Sequence, residues 1–341
     1  MAPNHPWVPA ARAVRLAALV GLAVALTAGC KRRHKPKLSW GMGVQTFDAT
    51  ALGLAASRTP DPFVDAIHPG RIVIPTYDGA DQATHPDVVL ERGAAGGPRL
   101  IMAMTPYPFS NDRFENPSVL VSRDGMSFAP PPGVVNPLVP APAVDHNNDP
   151  DLRRDPRTGE YEILYLETLR PQNRQTLVAL RSPDLVTWTR RDAVVYDFTK
   201  GAPFIVSPAA IEEAGKTYLF SVDPEGKRVQ LMISDDGRTW DVAAARTLPI
   251  ELGAVKPWHI DVVRAEIGFA MLISGFDTVF THQNLYLATS PDLVTWTLRP
   301  KPLLDHADPM LGVESLYRST GLVEHGTLIV WYSMQYHGDD D

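Results

Sequence analysis

At 341 residues the chain is long enough for one large domain or two ordinary ones, and its 44% hydrophobic and 21% charged residues exclude collagen-like, wholly disordered and polytopic membrane architectures. Its 32 prolines, close to double the usual share of about 5%, argue against a helical bundle, because proline breaks helix interiors and collects in turns and sheet margins. A formal net charge of -7 offers no basic face for phosphates, so nucleic acid is not an expected partner.

In chain order the first element is a targeting segment. Arg12 and Arg15 precede an apolar run from Leu16 to Ala28, which is short of the about 20 residues a spanning helix needs and suits a signal-peptide core. Residues 1–29 are therefore expected to be a signal peptide. The run Leu26-Thr27-Ala28-Gly29-Cys30 resembles a bacterial lipoprotein lipobox, with Thr27 where leucine is commonest. That resemblance implies lipidation of Cys30, a membrane partner reached through a lipid anchor, and a place in the bacterial cell envelope, facing the periplasm or the outside. An ordinary secretory peptide with an unmodified cysteine is the alternative. Cys30 is the single cysteine, so no internal disulfide forms. Residues 30–62 read as lipid anchor and tether, and 63–341 as the folded domain.

An internal repeat decides the architecture. Ser122-Arg123-Asp124-Gly125-Met126-Ser127-Phe128, Ser182-Pro183-Asp184-Leu185-Val186-Thr187-Trp188, Ser234-Asp235-Asp236-Gly237-Arg238-Thr239-Trp240 and Ser290-Pro291-Asp292-Leu293-Val294-Thr295-Trp296 share one pattern, each after an apolar strand. Ser and Asp side chains bond the backbone of a tight turn, and the final aromatic packs back on the sheet. The serines are 60, 52 and 56 residues apart, room for four short strands with their turns, which is one β-propeller blade. Five polar runs mark blade openings: His85-Pro86-Asp87, His146 to Asp151, Ser207-Pro208, Trp258 to Asp261 and Glu314 to Arg318. The expected fold is all-β, a five-bladed β-propeller of four-stranded blades. The last blade has little sequence after Tyr332, so an N-terminal segment near Arg71 to Thr76 is expected to complete it.

The repeats resemble the Asp-box turns of sialidases and the Ser-x-Asp-Leu-x-x-Trp turns of five-bladed glycoside hydrolases such as families 43 and 32. The openings, with Thr105-Pro106-Tyr107-Pro108 and Glu115-Asn116-Pro117-Ser118, are also similar to little-characterised bacterial propellers related to that superfamily. Carbohydrate is the partner this implies. Strand side chains alternate, so His85 with Asp87, Asp149 with Asp151, and His259 with Asp261 can point together at the central channel. Carboxylates from separate blades around one channel suit inverting glycoside hydrolysis, which needs an acid and a base about 6.5 to 9.5 Å apart. The resemblance implies Asp87 as general base and Asp149 as its helper, with Asp151 competing for that role. It also implies an acidic residue opening blade three, where the chain has Val206-Ser207-Pro208-Ala209-Ala210 instead. The acid is then sought at Glu314, Glu115 or Glu167.

Three readings follow. The first is a glycoside hydrolase, with Tyr107, Trp258 and Arg318 on the sugar. The second is a carbohydrate-binding propeller without turnover, which the missing acid favours. The third is a channel holding a cation such as calcium, with His85, His146, His259, Asp87 and Asp261 converging on one ion.

Overall fold

The computed structural model describes residues 38–276 and 282–337, so the expected signal peptide, Cys30 and the start of the tether lie outside the described residues. Five antiparallel sheets follow one another around a ring. The innermost strands are Ala83–Glu91, His146–Arg154, Val206–Glu213, Lys256–Arg264 and Ser315–Glu324, which open blades one to five and contact one another in that order, the last meeting the first. Blades two, three and four continue outward through three further consecutive strands. Blade one has three continuous strands, and an isolated bridge between Val121 and Ala129 takes the place of the fourth.

Blade five closes the ring with chain from both ends. Ser315–Glu324 pairs with Thr327–His337, which pairs in turn with Leu38–Asp48, in register from Leu38 opposite His337 to Asp48 opposite Thr327, and Gly70–Ile72 forms the edge. The edge strand overlaps the expected Arg71 to Thr76. The third strand, however, falls inside the span expected to be tether. The reason it hid is physical: glycines in Trp40-Gly41-Met42-Gly43-Val44 resemble a linker, yet here they make room for rings. A Cβ on Gly41 would lie 2.9 Å from the Tyr336 ring and one on Gly43 would lie 2.5 Å from that of Tyr332, while Met42 and Val44 are buried. Glycine in a strand often marks such a close approach.

The core is divided among the blade interfaces. Five apolar clusters fill the gaps between blades one and two, two and three, three and four, four and five, and five and one. Trp331 lies in the last of these, donating its Nε1–H across the closure to the Gly125 carbonyl at 3.0 Å.

The four repeated turns share one hydrogen-bond pattern. Asp124, Asp184, Asp236 and Asp292 each accept from the backbone N–H groups two and three residues on, at 2.7 to 2.9 Å, and each accepts from the preceding serine hydroxyl. The residue after each aspartate is left-handed, with φ of 72° at Gly125, 68° at Leu185, 64° at Gly237 and 66° at Leu293. Leucine is strained there, but both leucines bury their side chains fully, which offsets the strain.

Each innermost strand also carries a one-residue bulge near its start. In blades one, two and three the bulge holds a non-glycine residue at positive φ just before a proline: His85 at 53°, Asp149 at 52° and Ser207 at 54°. Such residues cost on the order of 1 kcal/mol or more, and bulges re-aim side chains next to functional sites.

Candidate metal centre in the channel

The re-aimed side chains meet at the end of the channel where the innermost strands begin, here called the near side. His85 Nε2 lies 3.2 Å from Asp149 Oδ1, and His259 Nδ1 lies 3.5 Å from the same oxygen. All three residues are buried, and one potential ligand atom from each lies within 4.8 Å of the others. None of these atoms has a hydrogen-bond partner, and His259 Nε2 is unpartnered as well. The Thr105 hydroxyl at 2.8 Å occupies His85 Nδ1, which turns Nε2 inward. Asp149 Oδ2 accepts from Ser207 N at 2.9 Å and Asn148 Nδ2 at 3.0 Å, which leaves Oδ1 free.

The protonation states suit a metal. Burial holds the His85 pKa down at about 4 and that of His259 well below its ordinary value. Burial works against ionisation of Asp149, but His259 and His85 when protonated, the Arg318 guanidinium and the Ser207 N–H outweigh it and hold its pKa at about 2. With both rings neutral at pH 7, Arg318 is the permanent charge in that set, its NH1 3.9 Å from Asp149 Oδ1. Two neutral imidazoles and one carboxylate are a donor set for zinc or a neighbouring transition metal, and catalytic zinc sites use three such ligands with one position open. The unpaired, converging atoms therefore fit a metal. The nitrogen-rich set fits calcium less well, since calcium takes oxygen ligands.

Above this cluster is a cavity of about 270 Å³ whose walls include Tyr107, Glu115, His146, Trp258 and Tyr317. His146 Nδ1 lies 2.8 Å from Asp145 Oδ1, and its Nε2 faces Glu115 Oε2 at 3.9 Å. Burial, then the nearby Asp149 and Asp112, push the Glu115 carboxyl well above its usual range. Burial and then Glu115 raise Tyr107 to about 12. Trp258 Nε1 donates to the Tyr317 hydroxyl at 3.3 Å, and the Tyr317 ring stands edge-on to His259 with centroids 4.3 Å apart. Trp40, at the start of the closing strand, packs against both Tyr107 and Tyr317.

The expected site residues thus divide. His85, Tyr107, Glu115, His146, Asp149, Trp258 and His259 come together at the pocket. Asp87, Asp151 and Asp261 do not: they form a separate buried cluster deeper in the channel, lining a cavity of about 540 Å³ that opens toward the far side. Burial raises all three carboxyls, and Asp261 adds repulsion at Asp87 and Asp151. Arg318, fully buried, stands between the clusters, 3.6 Å from Asp87 and 3.9 Å from Asp149, and donates to the Pro208 carbonyl. It has no place in the pocket lining, so it does not reach a sugar there. Asp87, expected as base, and Asp151, expected to compete with Asp149 as helper, are likewise below the pocket floor. Glu314 pairs with His337 at 2.8 Å, Glu167 pairs with Arg190, and neither lines the pocket. The five-residue ion site expected from His85, His146, His259, Asp87 and Asp261 resolves into two clusters, with His146 in neither.

Asp145, Arg170 and Tyr317 were not singled out in the sequence. Asp145 carried the one local signal, its place beside His146; Arg170 reaches it from the next loop, pairing at 2.8 Å.

A five-bladed propeller with a buried two-histidine, one-aspartate cluster under a polar pocket is the class these observations define. No family model matches the chain. It is 28% identical, over an alignment of 375 positions, to an A type blood N-acetyl-alpha-D-galactosamine deacetylase of Flavonifractor plautii, covering 89% of this chain and 47% of that protein. The chain spans about half the length of the curated relative it matches. Among solved structures it resembles an N-acetylgalactosamine deacetylase from F. plautii in complex with blood group B trisaccharide, with a TM-score of 0.64 and 22% identity over 78% of this chain and 81% of that one. It also resembles a thermostable family-43 glycoside hydrolase, with a TM-score of 0.53 and 10% identity over 74% of this chain and 88% of that one. At these identities the structural likenesses establish the shared propeller fold. The relatives themselves are glycan-active enzymes.

Proposed function

We propose that the near-side pocket is a metal-dependent hydrolytic site that removes the acetyl group from an N-acetylated sugar of a glycan. The observation that carries this reading is the set of buried, unpaired ligand atoms on His85, Asp149 and His259 at the floor of a polar pocket. The deacetylase named among the relatives supports the substrate class.

A divalent ion of the zinc class, held by His85, Asp149 and His259, would polarise the amide carbonyl and acidify water. The chain's own groups supply the rest. Asp145 fixes the proton of His146 on Nδ1, so the Nε2 lone pair faces the pocket and accepts the proton of the attacking water. Glu115, kept protonated by burial, gives its proton to the sugar nitrogen as the C–N bond breaks, releasing acetic acid and the free amine. Proton transfer from His146 to Glu115 across their 3.9 Å gap, through small motion or one water, restores both. The Tyr107 and Tyr317 hydroxyls, both kept protonated, are donors for the developing oxyanion, and the Trp258 ring is a surface for the sugar.

The test is product analysis on N-acetylgalactosamine and N-acetylglucosamine glycosides. Acetate release without cleavage of the glycosidic bond, abolished in His259→Ala, is the expected result. Free sugar with the acetyl group intact would refute the reading in favour of a glycosidase, and binding without any product would leave a carbohydrate-binding propeller.

The same reading places the protein in the bacterial cell envelope, lipid-anchored at Cys30, on the strength of the Leu16 to Cys30 pattern. Cys30→Ser should move the protein from the membrane to the soluble fraction, and retention in the membrane would contradict the anchor.

A further inference from the structure

The second channel cluster has no part in that chemistry. Asp87, Asp151 and Asp261 come from the innermost strands of blades one, two and four, each two residues beyond a near-side ligand. They are 4%, 3% and 3% exposed, and one oxygen from each lies within 4.8 Å of the others. Asp151 Oδ2 accepts from Ala210 N at 3.1 Å. By contrast Asp87 Oδ2 and Asp261 Oδ2 are buried with no hydrogen-bond partner. Arg318 does not satisfy them: its nearest approach is 3.6 Å to Asp87, and its own Nε and NH1 are unpartnered. Two buried carboxyl oxygens without hydrogen-bond partners, facing a third acid, are polar atoms that an ion would satisfy. The cluster is not sealed, because the three aspartates line the far-side cavity of about 540 Å³, large enough for an ion with its water.

We propose that Asp87, Asp151 and Asp261 form a second cation site, specific for a hard divalent ion and entered from the face opposite the pocket. Its donors are oxygens alone, which excludes the imidazole-rich preference of the near-side cluster. Calcium fits better than magnesium, since calcium accepts carboxylates and waters in flexible, higher-coordinate arrangements while magnesium demands a compact octahedron. The ion ties three innermost strands together across the channel, and it stabilises the fold by binding the native state alone. The site is independent of the pocket chemistry.

The experiment uses the full chain with the near-side cluster disabled by His259→Ala, freed of metal by chelation and dialysed against calcium. One bound calcium per chain is expected, with a rise in Tm that grows with calcium concentration and is lost in His259→Ala/Asp261→Asn. No calcium retained up to about 1 mM, the weak end of calcium modules, would overturn the proposal, as would undiminished binding after Asp261→Asn. Should the double variant fail to fold, crystals of the unsubstituted chain soaked in calcium decide the matter. Anomalous density among the three carboxylates supports the site, and its absence there removes it.

Discussion

The two ends of the channel are built by the same three strands from residues two apart, yet they differ in chemistry. His85, Asp149 and His259 offer two nitrogens and an oxygen at the base of a pocket, and Asp87, Asp151 and Asp261 offer oxygens alone over a far-side cavity. Two residues along a strand advance about 6.6 Å. In blades one and two the bulge holds the first of each pair, His85 and Asp149, at positive φ, and in blade four it falls at Trp258 just before His259, so one strand feeds both clusters at different depths. Arg318 is the divider, close enough to Asp149 and Asp87 to act on both. A shared channel is thus not a shared site, and in this protein the difference lies between a candidate reactive centre and a candidate structural ion.

The largest effect should separate the clusters outright. Asp149→Ala, measured as acetate release, is expected to lose on the order of 10³-fold in kcat, the loss of several kcal/mol of metal-assisted stabilisation. Asp87→Asn should keep most of its turnover, and equal damage from both would merge the two clusters into one site. Next, Glu115→Gln should cost about 100-fold or more in kcat with little change in KM, as removal of a proton donor does. If KM rises while kcat holds, Glu115 binds substrate and does not move a proton.

Arg318→Met tests the divider. Removing a buried cation that faces carboxylates on both sides should cost about 3 to 5 kcal/mol in urea unfolding; a loss near zero would mean that the clusters do not depend on it. The pH dependence of the metal-free protein is a sharper probe of the near side. The fold keeps His85 neutral, with its pKa lowered from 6.5 to about 4. The unfolded chain therefore binds more protons between these values, and stability falls as pH drops from about 6.5 to 4, by about 3 kcal/mol at most from this group. His259 acts in the same direction. His85→Gln should flatten part of that slope. The smallest effect concerns the frame: Leu185→Gly relieves a left-handed leucine but loses a buried side chain, for a net loss of about 1 to 2 kcal/mol.

The fold was legible because it repeats. Four Ser-x-Asp turns at near-constant spacing announce blades, since the turn chemistry is local and the aromatic anchor sits inside the motif. The closing strand Leu38–Asp48 was not legible, because its pairing partner lies nearly 300 residues away and its glycines are explained only by the tyrosine rings they face. For the site, alternation correctly put His85 with Asp87 and His259 with Asp261 on the channel, but it carries no depth coordinate. The backbone bulges, with positive φ at His85 and Asp149, set that depth, and no residue type in the sequence demanded them. Expectations taken from the glycosidase resemblance settled on the carboxylates, whereas the geometry favours the histidines beside them.

The most direct test of the central claim is anomalous diffraction from crystals of the metal-loaded protein, collected at the zinc, cobalt and manganese absorption edges. A single strong peak bounded by His85, Asp149 and His259 is the predicted result. A fully active protein with no peak there, or with transition metal seated instead among Asp87, Asp151 and Asp261, would contradict the account.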